Sequence, residues 1–506
     1  MKILIANRGE IALRLIRACH ELGHGSVAIY SDADRTQPHV LAADIAVRVG
    51  PPPAGESYLD QRAILAVAAK TGAGAIHPGY GFLAENADFA RAVEAAGLIW
   101  IGPPPDVIEL LGSKTAAREV ARRVGAPLVP GSEPLADGAA ARSFAHEVGY
   151  PILLKAVGGG GGKGMRVVRS DAEADEAFTR ASSEGKAFFS DARVYAEKLV
   201  DRPRHIEVQI LGDRGGRILH FGERECSLQR RHQKVLEEAP SPAVTLELRA
   251  RLAAAALAVA REVGYRSAGT VEFLVDPDGN FYFLEVNTRL QVEHPVTEMV
   301  VGVDLAQWMI REALGEELTL RQEDLVPRGH AIECRVYAED PLRGFSPSPG
   351  VIGVLDRPAG PGVRVDSGVG EGSLVPLDYD PILAKLIVWA EDRPRALARL
   401  RRALTEYRIS GIATTLPLFR LLLDVPEFIA GDLHTGLLDE LLARAPVQVQ
   451  EAESEPALAE AALIAAAVLA AEEGGRMPDG GFEIAEREGG AWRQTGRRQA
   501  QGRDPR

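Results

Sequence analysis

Phe281-Tyr282-Phe283-Leu284-Glu285-Val286-Asn287-Thr288-Arg289-Leu290-Gln291-Val292-Glu293-His294-Pro295 runs from a hydrophobic strand straight into a cluster of charged and amide side chains. Thirteen residues before Glu285, Glu272 closes a second apolar strand, Gly269-Thr270-Val271. Between them, Asp276-Pro277-Asp278-Gly279-Asn280 has the composition of a tight turn. A hairpin closed there sets Glu272 beside Glu285, and paired oxygen ligands at that separation suit Mg²⁺ carrying nucleotide phosphates. Arg289 and Glu293 are expected one helical turn apart just beyond the strand, placed to hold a small oxyanion. A solvated hairpin end is the plainer reading, and it leaves that pairing unexplained.

At 506 residues the chain exceeds what one core supports, and about three domains are expected. Its apolar share of 46% and charged share of 25% are those of an ordinary globular protein. A net charge of −13 argues against a general nucleic-acid surface. Cys19, Cys226 and Cys334 are far apart, with no CxxC spacing, which disfavours a disulfide framework or zinc site. Met1-Lys2-Ile3-Leu4-Ile5-Ala6 enters a strand at once, without the pattern of a leader. The most apolar run, Ala461 to Ala471, is too short for a bilayer. A cytoplasmic protein with no membrane or nucleic-acid partner is therefore expected.

The first hundred residues alternate strands (Ile3–Ala6, Ser26–Tyr30, Ala75–His77, Ile99–Ile101) with helices (Glu10–Leu22, Tyr58–Thr71, Asn86–Ala96). That order predicts an α/β, doubly wound parallel sheet. Beyond a Pro/Gly-rich change at 127–138, the strands Ile152–Ala156, Met165–Val168, Val194–Lys198 and His205–Leu211 around a helix at Asp171–Ser183 predict a small α+β insert able to close over a ligand. Mixed sheet is expected from Arg217 to Leu284, with an alanine-rich helix at Leu246–Val263. Strands return at Ala331–Tyr337, Val351–Leu355, Gly362–Ser367 and Asp380–Trp389, before a helix at Arg393–Glu406. The expected domains are 1–113, 114–328 with a lid at about 130–203, a mixed α+β domain at 329–442, and a linker with a partly disordered tail at 443–506.

Three further segments bear on chemistry. Lys155-Ala156-Val157-Gly158-Gly159-Gly160-Gly161-Gly162-Lys163-Gly164 lies between two strands; its glycines let backbone N–H groups wrap phosphate oxygens while the flanking ammonium groups neutralise charge. It is not a Walker A loop, since Gly164 stands where Ser or Thr would bind the metal. His20-Glu21-Leu22-Gly23-His24 matches HExxH only formally, because Gly23 and Gly25 end the helix a zincin needs. Glu223 to Lys234 is a dense polar run. It reads either as a solvated basic loop or as a site where Gln229, His232 and Lys234 grip phosphates or a small anion. Lysine is scarce, nine against 49 arginines. Such a bias suggests lysine is kept where a compact ammonium is wanted, and Lys114, Lys155, Lys163, Lys198, Lys234 and Lys385 fall in or near such segments. Glycine hairpin, paired acids and basic run together describe phosphoryl transfer from Mg-ATP.

Ala6-Asn7-Arg8-Gly9-Glu10-Ile11-Ala12, His77 to Asn86, Lys155 to Met165, Arg231-His232-Gln233-Lys234, Glu285 to Pro295, Ser346 to Gly350 and Tyr379 to Leu386 resemble the biotin carboxylases, ATP-grasp enzymes found in the α subunits of biotin-dependent acyl-CoA carboxylases. The resemblance covers about residues 1–442. It implies that Lys114 and Lys155 hold ATP phosphates under a lid carrying Gly160, Gly161 and Gly162. Glu197 and Lys198 would lie at the adenine hinge, and His205, Gln229 and His232 would line the nucleotide site. Glu272 and Glu285, assisted by Asn287, would bind Mg²⁺ (or Mn²⁺). Arg289, Gln291, Val292 and Lys234 would hold bicarbonate, Glu293 would be its base, and Arg335 would stabilise the enolate of biotin. A homodimer, a biotin carboxyl carrier and a carboxyltransferase subunit are the implied partners.

The C-terminus departs from a full α subunit: Met477 is the last methionine and Lys385 the last lysine, so no Met-Lys-Met attachment site occurs. Residues 446–506 read as the start of a linking domain cut short, and biotin is expected on a separate carrier. Two other functions fit parts of the pattern. A different ATP-grasp carboxylate–amine ligase would share Lys155, Glu272 and Glu285 without needing Arg335. A nucleotide-binding scaffold would not need Glu293 and Lys234.

Overall fold

Alternation of apolar strands and amphipathic helices in the first hundred residues builds a five-stranded sheet, every pair parallel. Its order is Ile45–Gly50, Gly25–Ser31, Lys2–Ile5, Ala75–His77, Ile99–Trp100. The helix Gly9–Glu21 buries Ile11, Ala12, Leu15, Ile16 and Cys19, a stripe at helical spacing. Asn86 and Asp60 cap the helices Ala87–Ala95 and Gln61–Thr71 with their side-chain oxygens. The expected doubly wound domain is present. Its edge strand Ile45–Gly50 was not anticipated; it is short and only half-buried. His20 sits at a helix end against Ser26 and Asp44, which disposes of the zincin reading.

The computed structural model describes residues 1–157, 165–189 and 191–444. Gly160, Gly161 and Gly162, the tail beyond 444 and the expected linking segment lie outside the described residues. Residues 1–444 form one compact unit, and no helix of the described residues is long and apolar enough to cross a membrane.

Ile152–Ala156 sits between Met165–Val168 and Val194–Lys198 in a three-stranded antiparallel sheet. The helices Gly138–Val148 and Ala174–Phe189 cover it around a core of its own, including Ala141, Ile152, Leu154, Val168, Ala181 and Ala196. His205–Leu211, grouped with this insert in the sequence reading, belongs elsewhere. As part of Arg204–Gly212 it runs through an eight-stranded sheet in the order 281–287, 267–275, 204–212, 218–230, 233–239, 330–337, 382–390, 363–367. Every adjoining pair in that sheet is antiparallel, not mixed as expected. The sheet also crosses the expected boundary at 328/329, because Gln233–Ala239 pairs directly with His330–Tyr337. The polar run 223–234 is not a solvated loop. It is the buried end of the strand Ile218–Arg230, turning through Arg231 and His232 into Gln233–Ala239.

One irregularity decides which way the site residues face. The turn at 276–280 forms, with Asp276 and Asn280 hydrogen-bonded across it at 2.9 Å. The register pairs Glu272 with Glu285 but Phe273 with Phe283, leaving Leu284 as an extra residue. Phe281 and Phe283 before this bulge, and Val286 after it, all enter the same hydrophobic core. The side-chain parity of the strand is therefore reset at Leu284. Without that reset, Glu285 and Asn287 would point into the core beside Phe283. Deleting Leu284 should remove this bulge and leave Glu285 opposite Glu272 with Val286 still in the core, because plain alternation then runs on from Phe283. Denaturant unfolding of the deletion should register a loss of no more than ~2 kcal/mol, and a failure to fold would show that the bulge itself is needed.

Candidate active site

The strand Arg204–Gly212 alternates strictly: Ile206, Val208 and Ile210 face the core, while His205, Glu207 and Gln209 face the other way. Its neighbour adds Thr270 and Glu272 in register with Gln209 and Glu207, and the edge strand adds Glu285 and Asn287. From the other side come Arg224, Gln229, Lys234, Glu237 and Arg335. The result is a polar sheet face, largely buried, that must satisfy its own charges.

Lys234 is the hub. Its Nζ lies 2.5 Å from Glu207 Oε2, 2.8 Å from Glu272 Oε1 and 2.7 Å from Glu293 Oε1. Glu207 also accepts from Arg224, whose buried guanidinium donates further to Gln209 at 2.7 Å and to Thr297 and Thr270 at 3.0 Å each. Glu293 receives Arg335 Nη2 at 2.9 Å, and Arg335 Nε donates to Glu237 at 2.6 Å. Glu272 Oε1 accepts from Asn287 Nδ2 at 2.8 Å. His205 Nε2 lies 2.9 Å from Glu272 Oε2, off the hydrogen-bond angle.

Burial alone would push these carboxyls up, and the cations decide the outcome. Arg224 and Lys234 bring Glu207 down to about 2. Lys234 and His205 hold Glu272 well below the usual carboxylate range. Burial and the Glu207 charge raise Glu293, yet Lys234, Arg335 and Arg224 outweigh them and keep it ionised. Lys234 itself is raised by its three acids despite the cost of burial. Glu285 goes the other way: burial and the Glu272 charge raise it, with Lys114 opposing. Its carboxylate has no hydrogen-bond partner among the described residues.

The sequence-predicted residues separate into two groups. Glu272, Glu285, Asn287, Lys234, Glu293, Arg335 and His205 converge as described. Gln229 is the cross-strand partner of Lys234, and its amide donates to the Cys226 carbonyl at 2.9 Å. Arg289 donates to Asn287 Oδ1 at 3.1 Å and to Glu85 Oε2 at 2.8 Å. The buried Gln291 keeps its Nε2 without a partner among the described residues. Arg289 and Glu293 are not on one helix, however. Residues 288–293 form a turn, and Glu293 sits at the N-cap of the helix His294–Val301.

Lys155 pairs with Glu197 in the small sheet. Lys198 faces away from that pair and donates to the carbonyls of Gly149 and Tyr150 at 3.0 and 2.8 Å. Lys114 is exposed at the start of the helix Lys114–Arg123. His232 is exposed on the turn, where it and Arg231 hold φ of 66° and 49°. Two non-glycine residues with positive φ make that turn a strained one.

Sequence reasoning missed Glu207, Arg224, Glu237 and Glu85. The first had a usable signal in the His205-Ile206-Glu207-Val208-Gln209 alternation. Cys226 lies with Glu207 and Glu293 in one cluster, but burial raises its thiol far above its usual range, so it is no thiolate ligand or nucleophile.

An acid-lined sheet under a small, separately packed antiparallel insert is the architecture of an ATP-grasp ligase. Family models agree: "Carbamoyl-phosphate synthase L chain, ATP binding domain" matches residues 113–321. "Biotin carboxylase, N-terminal domain" matches 1–108, and "Biotin carboxylase C-terminal domain" matches 333–440. The chain belongs to the biotin carboxylase family. It is 50% identical over 441 residues to the Biotin carboxylase of Nostoc sp., across 87% of this chain and 99% of that one. The bicarbonate-bound biotin carboxylase domain of a thermophilic 2-oxoglutarate carboxylase superposes with a TM-score of 0.83 at 47% identity, covering 87% of this chain and 97% of that one. The Hydrogenobacter thermophilus biotin carboxylase domain dimer, in complex with MgADP, ADP and bicarbonate, gives 0.78 at 48%, with the same coverage.

Glu237 offers a test of these electrostatics. Burial, opposed by Arg335 and reinforced by Glu293, pushes its carboxyl up to about 7 from the ordinary 4.5. A folded-state value above the unfolded one means that the folded chain keeps a proton the unfolded chain has lost. Stability should therefore fall as pH rises from about 4.5 to about 7 and level off above. In Glu237→Gln the loss of stability across that window should be smaller than in the parent by on the order of 3 kcal/mol in urea unfolding.

Proposed function

We propose that this chain carboxylates biotin borne on a separate carrier, using ATP and bicarbonate, with the chemistry carried out on the polar face of the eight-stranded sheet. The observation that carries the assignment of roles is the Glu293 carboxylate, fully buried yet ionised between Lys234 and Arg335. Such a group accepts a proton from an anion that Lys234 also binds.

Arg289, Lys234, the unpartnered Gln291 amide and the Val292 backbone hold bicarbonate beside Glu293. Glu293 takes its proton while a bicarbonate oxygen attacks the γ-phosphorus and ADP leaves, giving carboxyphosphate. Lys155, Lys114, Glu197, His205, Gln229, His232 and the glycine loop bind and orient the nucleotide, with residues 130–203 closing as a lid that excludes water. Carboxyphosphate splits to CO₂ and phosphate, the phosphate removes the ureido N–H proton of biotin, and Arg335 neutralises the charge that develops on the ureido oxygen.

Glu272 and Glu285 fit Mg²⁺ or Mn²⁺. They are adjacent, like-charged oxygen donors, one of them without a partner, and Asn287 steadies the other. When bound, the metal would neutralise phosphate charge.

A homodimer belongs to this reading, supported by the dimeric relative, and a carboxyltransferase partner belongs to it as the consumer of carboxylated biotin. A cytoplasmic location also belongs to it, in keeping with three free, buried cysteines. The domain division at 113/114 and 328/329 is retained as the functional one.

The purified chain should hydrolyse ATP only with bicarbonate present, faster when free biotin is added. Glu293→Gln should lower this turnover about a hundredfold or more while MgADP still binds. Turnover that ignores biotin would point to another ligase, and unchanged turnover in Glu293→Gln would remove Glu293 from the base role.

A further inference from the structure

Lys385 is the last lysine of a lysine-poor chain and is fully buried, on the strand Ile382–Ala390 outside the nucleotide site. Its Nζ donates to the Val292 carbonyl at 3.0 Å and pairs with Glu10 Oε1 at 3.1 Å. Glu10 in turn accepts from the Tyr80 hydroxyl, and the Lys385 ammonium lies 5.8 Å from the centre of the Tyr80 ring. The remaining charges facing it are its register partners Arg335 and Asp366 and the buried Glu333. Close packing fixes this arrangement. A Cβ on Gly368, just past the strand Val363–Ser367, would sit 2.4 Å from the Glu10 backbone nitrogen, so only glycine admits the helix start that carries Glu10.

The carbonyl that Lys385 grips is half of the peptide bond joining Val292 to Glu293. That peptide lies in a turn, not in a helix or strand, so no regular hydrogen-bond ladder orients it. A buried ammonium on a rigid strand supplies the missing constraint, and the strand also aligns Arg335, the second cation on Glu293, directly opposite. We propose that Lys385 is a positioning residue: by clamping the Val292–Glu293 peptide against Glu10, it fixes the direction in which the Glu293 carboxylate and the Val292 backbone are presented to bicarbonate. This rests on the function proposed above.

Lys385 touches neither nucleotide nor bicarbonate on this reading, so its loss separates the two substrates. Lys385→Met should lower kcat/KM for bicarbonate about tenfold or more, the scale of a misplaced reacting group, with KM for ATP within about twofold of the parent. Removing the ammonium alone leaves Glu10 buried and uncompensated. Lys385→Met combined with Glu10→Gln removes both charges and keeps the balance if the single variant does not fold. The double variant should show the same selective loss. A folded variant, single or double, with the parent's kcat/KM for bicarbonate overturns the proposal, and so does a KM for ATP raised severalfold in step with lowered thermal stability, which marks a purely structural lysine. A parent chain without bicarbonate-dependent ATP hydrolysis would instead sink the underlying function.

Discussion

The three carboxylates that meet on Lys234 set the terms for everything around them. Glu207, Glu272 and Glu293 approach one ammonium within 2.8 Å, away from bulk water. One positive charge cannot balance three negative ones in a low-dielectric interior. The surplus is met by Arg224 behind Glu207 and Arg335 against Glu293. Removing any member leaves a buried charge without its counterpart, so the network behaves as a unit rather than as a set of separable pairs.

Holding such a network in one geometry needs a stiff frame, and the continuous antiparallel sheet provides it. Strands from Arg204 to Ala390 share one hydrogen-bond ladder, so Glu207, Lys234, Arg335 and Lys385 move together or not at all. The parts expected to move are placed off this frame. The small sheet that bears Lys155 has its own core and its own strands. The turn at Arg231–His232, with its two positive φ values, lies at the end of the ladder. Rigid placement of the reacting groups and freedom of the cover are thus assigned to different sheets.

Much of this was legible in the chain. The Asp276–Asn280 turn brought the strands bearing Glu272 and Glu285 together, because its turn chemistry marks a hairpin, although the exact pairing needs the Leu284 bulge. The parallel domain was legible in its alternation of strands and helices. The polar run 223–234 was not, because burial of Arg224 and Glu225 depends on partners supplied by distant strands. The Leu284 bulge shows only when Phe281, Phe283 and Val286 are known to share a core. Glu207 escaped because its strand was assigned to the small insert, where a polar face would simply meet water. The turn form of 288–293 was hidden by a four-residue spacing that mimics a helix. In each miss, a local pattern was overridden by long-range pairing.

The state of Glu293 then makes physical sense. A carboxylate held ionised by two cations is a weak base, which is a poor beginning for removing a proton from bicarbonate. One of these cations, Lys234, is also what the incoming oxyanion binds on the proposed reading. As bicarbonate draws Lys234 toward itself, the hold of that ammonium on Glu293 weakens, while burial and the Glu207 charge, which favour protonation, remain. Substrate binding therefore raises the proton affinity of the base at the moment it is needed. Without the anion the base stays ionised and paired, so the charge network that stabilises the fold also keeps proton transfer waiting for bicarbonate.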